Sequence, residues 1–143
     1  MDDLITKLTE RLNAAGIHCA AAFSVGRLPM LKSPMVVVDC STELSPAAIG
    51  GCFGRDINGR YYTCHAAAHT ATLEIYAPYL GGGTAIGAVV RKLLLALQTA
   101  PEGYSLHSIQ VGQVHYDADS DCFRCTLSVR LDSYLSLTEE EAQ

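Results

Sequence analysis

Three neighbouring side chains, Cys64, His65 and His69, place a thiol and two imidazoles in one short stretch of this 143-residue chain. On a helix the two histidines, four apart, share a face and could chelate a metal ion. On a strand they also share a face, but at a separation of roughly 13 Å, too far for one ion. Ala66 stands where the HExxH pattern requires Glu. Cys64 and His65 are adjacent, and adjacent strand residues point to opposite faces. They therefore cannot act together as nucleophile and base, and a second imidazole such as His18 or His107 would be needed.

The other motifs each lack an element of the chemistry they suggest. Cys122-Phe-Arg-Cys125 has the spacing of redox and zinc sites, but on a strand residues three apart face opposite ways, and no second pair accompanies it. Asp117-Ala-Asp119-Ser-Asp121 opens like a calcium loop, but Cys122 sits where Gly is required and Ser128 where Glu is required. A turn with self-bonding Asp side chains accounts for it. Gly81-Gly82-Gly83-Thr84 precedes a helix, a place where anions bind. It lacks the Gly-Lys of a phosphate loop, and Ile86 replaces the third glycine of a dinucleotide fingerprint. The expectation is no catalytic residue, no metal and no cofactor. The alternative is a small α+β enzyme or a ligand- or metal-binding domain using Cys64, His65 and His69.

These side chains are positioned by elements that the hydropathy pattern outlines. Leu4, Ile5, Leu8, Leu12 and Ala15 recur at helical spacing over 2–15, with Asp2 and Asp3 at the favourable end of the dipole and Gly16 as a stop. Residues 17–23 and 35–40 read as short apolar strands, the second carrying three consecutive valines. Residues 41–54, with Pro46, Gly50, Gly51 and Gly54, read as a long excursion. Asn58-Gly59 is a hairpin signal that pairs residues near 54–57 with 60–64. Residues 61–77 mix alanines that favour helix with Tyr, Thr and Ile that favour strand. The turn that delivers the segment, and the alternation of Leu73 and Ile75 with Thr72, Glu74 and Tyr76, select a long strand; helix remains the alternative over 64–71. Ile86, Val89, Val90, Leu93, Leu94 and Leu97 mark a helix over 84–98. A strand follows over 105–116, then a polar turn, then a long strand over 122–137 in which Phe123, Cys125, Leu127, Val129 and Leu131 alternate with Arg124, Thr126, Ser128, Arg130 and Asp132.

The predicted order is α-β-β-β-α-β-β. It implies one α+β domain over 1–137, with a frayed tail over 138–143. The expected architecture is a two-layer sandwich, with two helices on one face of a mostly antiparallel or mixed sheet of about five strands. A polar face, rich in Thr, Ser and Arg, is left for solvent or for other subunits. Hydrophobic residues at 49% exclude a disordered chain, and the length leaves room for one core. No apolar run approaches the ~20 residues of a membrane span. The net charge of −5 disfavours sequence-independent binding to nucleic acid. The acidic start does not read as an export signal, so the six cysteines are expected to be reduced thiols. Tyr61, Tyr62, Tyr79 and Tyr116 are expected at an interface or its rim.

The passage TATLEIYAPYLGGGTAIGAVVRKLLLALQ, followed by a strand, the YDADSD turn and CFRCTLSVRLDSYLSL, resembles a known family. With the leading helix and the SPMVVVDC strand, the order of elements is similar to that of the tail terminator or head–tail joining proteins of long-tailed bacteriophages, including the phage lambda type. The resemblance spans most of the chain but not 45–60. It implies a non-catalytic virion protein that forms a ring, usually of six copies. Such a ring caps the tail tube protein, stops tube growth and offers a surface to the head completion or connector protein. It implies assembly in the bacterial cytoplasm and a place at the head-proximal end of the tail, with no membrane or sequence-specific nucleic-acid partner. Another phage connector of the same fold fits the same pattern. Arg124, Arg130 and Asp132 are the candidates for lumen or inter-subunit contacts, and Arg55, Asp56 and Arg60 for contacts made through the hairpin.

Overall fold

The computed structural model describes residues 2–21, 33–45, 53–55, 58, 61–79, 83–119 and 121–138. Helix α1 (Asp2–Ala14) is followed by strands β1 (Cys19–Ala21), β2 (Met35–Leu44), β3 (Phe53–Arg55) and β4 (Tyr61–Pro78). Helix α2 (Gly83–Ala96) then leads to β5 (Ser105–Val111), β6 (His115–Asp117) and β7 (Cys122–Thr138). The seven strands form one mixed sheet with the path β1-β2-β4-β7-β5, in which β3 pairs with β4 and β6 with β7. Among the described residues only β1 and β2 run parallel, and every other pairing is antiparallel.

The stop of α1 follows from one glycine. Gly16 adopts φ +83°, and the Gly16 N–H donates to Asn13 while the Ile17 N–H donates to Leu12. These two bonds form a Schellman cap, which satisfies carbonyls the helix would otherwise strand. The reversal turns the chain into Ile17 and β1 at the sheet edge.

Both helices lie on the same face. Leu4, Leu8 and Leu12 of α1, Ile86 and Leu93 of α2 and Leu97 just after it are buried against Val36 and Val38 of β2, Ala71, Leu73, Ile75 and Ala77 of β4, and Cys125, Leu127, Val129 and Leu131 of β7. Each of the large aliphatic side chains contributes about 2 kcal/mol of burial. The α2–β5 connection ties down α1. Arg11 donates to the Thr99 carbonyl, Lys7 donates to the Glu102 carbonyl at 3.0 Å, and the Lys7 ammonium lies 5.5 Å from the Tyr104 ring centre.

The long strand chosen for 61–77 is present as β4, and β3 pairs with it as the Asn-Gly signal required, Arg55 lying opposite Tyr61. The α+β fold is as expected, with two helices on one face of a mixed sheet; among the described residues that sheet has seven strands, β1, β3 and β6 being three residues long. Three expectations need correction. First, residues 41–44 belong to β2 and not to an excursion, because Ser41 to Leu44 continue to pair with Thr70 to Ala67. Second, Thr138 is still in β7, opposite Tyr62, rather than in a frayed tail. Third, the expected strand over 105–116 is broken into β5 and β6 at residues 112–114.

The break has a local cause. The Gly112 N–H donates to the Thr126 carbonyl at 2.8 Å, and the Gly112 carbonyl accepts from the Cys125 thiol at 3.3 Å. A β-carbon on Gly112 would stand 2.9 Å from that Thr126 oxygen. Only glycine lets the two backbones approach so closely. Gly112→Ala is expected to cost about 1–3 kcal/mol, the cost of forcing an extra carbon into a packed site. The drop is to be read from the midpoint of urea unfolding.

Candidate interaction face

The opposite sheet face carries no helix among the described residues. Its residues come from the positions between the core residues: Val37, Asp39, Ser41 and Glu43 of β2, Thr70, Thr72, Glu74 and Tyr76 of β4, and Arg124 to Asp132 at even positions of β7. The strict alternation of β4 and β7 makes this face polar, as the pleat sends neighbours to opposite sides.

At one end of the face a charged cluster is paired internally, with only the buried Arg124 Nε left without a hydrogen-bond partner among its members. Arg124 Nη2 lies 3.1 Å from Glu74 Oε2 and Nη1 lies 3.5 Å from Asp117 Oδ2. Its guanidinium carbon is 4.7 Å from the Tyr76 ring centre, and Thr126 Oγ1 donates to Glu74 at 3.0 Å. Burial opposes the charge on Arg124, but Tyr76, Glu74 and Asp117 together raise its pKa above the ordinary value. Arg124 is therefore held within its own sheet by two carboxylates and an aromatic ring.

At the other end the face opens into a shallow groove of about 540 Å³. Ala66 and Ala68 form its floor, Glu43 stands on one side, and Arg130, Asp132 and Tyr134 stand on the other. Alanine at two positions of β4 leaves the depression, and the long side chains of β2 and β7 wall it. Tyr134 is 77% exposed, and Asp132 lies 3.3 Å from His107 Nδ1. The groove sits where β4 and β7 run beyond the sheet. Among the described residues neither β2 nor β5 pairs with them past Ala67 and Asp132, and β3 adds to the outer end of β4. Arg130 and Asp132 thus fall together at the root of a two-stranded ribbon. The backbone of Arg55 lies in β3 on that ribbon, while Asp56 and Arg60 lie outside the described residues.

The thiol and imidazoles do not converge. Cys64 is held in a disulfide, a correction to the expectation of reduced cysteines, and its sulfur cannot serve as a thiolate. Cys19, Cys40, Cys122 and Cys125 are outside any disulfide. Burial pushes the Cys19 and Cys40 thiols up to about 11, so both stay protonated. His65 and His69 both face the core side. His65 donates from Nδ1 to the Ser45 carbonyl at 3.0 Å. His69 is 7% exposed and bridges three strands: Nδ1 lies 2.8 Å from Thr42 Oγ1 and Nε2 lies 2.7 Å from Ser133 Oγ. Tyr104 meets it edge-on at 5.1 Å. Among the described residues no group of three or more His, Cys, Asp or Glu could hold a metal ion. The His69 clamp was missed in sequence because its partners, Thr42 and Ser133, are hydroxyls far away in the chain; only the β4 register brings them together.

No protein-family model matches the chain, and no curated protein matches it in sequence. No described helix is long and apolar enough to cross a membrane.

Two outcomes follow from these contacts. Burial lowers the pKa of His69 below its ordinary 6.5, with the Asp132 charge opposing the shift. The unfolded chain therefore takes up the proton first, and stability falls as pH drops below about 6.5 toward the folded value. Urea midpoints at pH 7 and pH 5 should show this loss, and His69→Gln should reduce it. Arg124→Ala leaves Glu74 and Asp117 facing each other without their cation. It should cost about 1–3 kcal/mol in urea unfolding, more than a surface charge would.

Proposed function

We propose that this chain is a non-catalytic virion-assembly protein of the tail-terminator type, which works as a ring of copies at the head-proximal end of a bacteriophage tail. The observation that carries the reading is the one-sided fold. Both helices cover one face of the sheet, and the other presents a groove lined by a cation and an anion, Arg130 and Asp132, beside an exposed Tyr134. Tyrosine and arginine around a small-residue floor are the composition of a protein contact rather than of an enclosed ligand site. The groove's position at the root of the β4–β7 ribbon sets it beside a protruding element that can reach a neighbour.

In this reading the open face meets the tail tube protein, and another surface of the ring is left for the head completion or connector protein. The order of elements supports it, since helix, strands, long strand, helix and long alternating strand follow the pattern of that family. Assembly then takes place in the bacterial cytoplasm, and the protein ends in the virion.

Light scattering across a range of protein concentrations tests the ring. A species near six times the 15.3 kDa chain mass, growing with concentration, is expected, and annular particles should follow in electron micrographs. A strict monomer at every concentration would count against a ring that forms in free solution. Arg130 is exposed, so Arg130→Glu should shift stability by no more than about 0.5 kcal/mol. The same change should impair tail capping, because it reverses a charge in the groove.

A further inference from the structure

Two exposed patches lie away from the open face, and their chemistries are complementary. One is a corner at the β6–β7 turn. The Tyr79 ring centre lies 5.5 Å from Tyr116 and 5.6 Å from Phe123, and Tyr116 lies 6.1 Å from Phe123. Tyr79 is 54% and Tyr116 48% exposed, with Phe123 half-buried beside them. Two carboxylates rim the rings. Asp119 and Asp121 are both exposed, and Asp121 Oδ1 accepts from the Tyr116 hydroxyl at 2.6 Å. Asp117 is not part of this rim, because it faces Arg124.

The second patch is the outer side of α2. Ile86, Leu93 and Leu97 point into the core, which turns Arg91, Lys92 and Leu95 outward together. Leu95 is 62% exposed, a large aliphatic side chain in water between two cations. Among the described residues neither Arg91 nor Lys92 meets a carboxylate of its own chain.

We infer that the outer face of α2 in one copy docks on the aromatic, acidic corner of the next copy. Leu95 seats against the Tyr79 and Tyr116 rings, and Arg91 and Lys92 approach Asp119, Asp121 and the ring faces. Each half explains an oddity of the other: tyrosines exposed edge to face beside anions, and a leucine exposed beside cations. Like halves repel, two corners being both acidic and two helices both basic. Made head to tail, the contact leaves one half free on every copy that joins, the property needed to build a closed ring. The inference rests on the assembly reading, and identifies the contact between copies.

Charge exchange tests it. The first variant carries Arg91→Glu and Lys92→Glu. The second carries Asp119→Lys and Asp121→Asn, the Asn chosen because residue 121 has φ +51°, which Asn tolerates. Each variant alone should melt as the wild type does and show at least a tenfold weaker self-association by light scattering. Leu95→Ser should weaken association without any change of charge. In an equimolar mixture the acidic helix of the first variant meets the basic corner of the second, and the unaltered halves match each other. Alternating assemblies should then return. Wild-type association retained by both charge variants overturns this contact and leaves the ring reading standing. Folded variants whose mixture fails to recover overturn it equally. A wild type that stays monomeric at every concentration overturns both this contact and a ring in free solution.

Discussion

The backbone pairing of β4 with β7 is the constraint on which the rest of the structure depends. It is unbroken from Tyr62 opposite Thr138 to Pro78 opposite Cys122. Every other strand except β1 is held by one of these two: β2 and β3 lie along β4, and β5 and β6 along β7. β1 is one step further out, on β2. The helices pack on the odd positions of the same two strands. The pairing closes late in the chain, since its nearest partners, Pro78 and Cys122, are separated by all of α2, β5 and β6. Such distant pairing is slow to form, and local elements must form and wait for it.

A second consequence of that pairing is the division of labour between the two faces. One side of the ladder carries Leu, Ile, Val and Ala and is buried by α1 and α2. The other carries Thr, Ser, Glu and Arg and remains open. The two histidines mark where the buried side runs out. His69 sits at the edge of the helical cover, and the hydroxyls of Thr42 and Ser133 replace the aliphatic contacts found further along β4. A buried imidazole with both nitrogens bonded holds three strands together at the point where the ribbon leaves the sheet.

Much of this was legible in the sequence because it is written in local period. The alternation of Leu73 and Ile75 with Thr72, Glu74 and Tyr76 gave β4 its face, and the spacing from Ile86 to Leu97 gave α2. Ser41 to Leu44 were not legible as strand, because Thr42 stands between Ser and Glu, which carry little intrinsic preference for it, and their pairing with β4 is what extends β2. The break at Gly112 was hidden for a related reason: its cause is the carbonyl of Thr126, on another strand. The candidate site divides in the same way. Arg130 and Asp132 were readable as outward residues of an alternating strand. The fate of Arg124 was not, since Glu74 is fifty positions away. The disulfide at Cys64 carries no local signature at all.

A ladder with a period of two has a consequence for how such a protein can change. Removing or adding one residue within β4 or β7 would turn each later side chain to the wrong face, exposing leucines and burying arginines. The length of these strands is therefore frozen, whereas the identity of the residues on the open side is not. Exchange of Glu43, Arg130, Asp132 or Tyr134 leaves the core and the pairing untouched. The chemistry of the open face can thus drift by surface substitution while the architecture beneath it stays fixed.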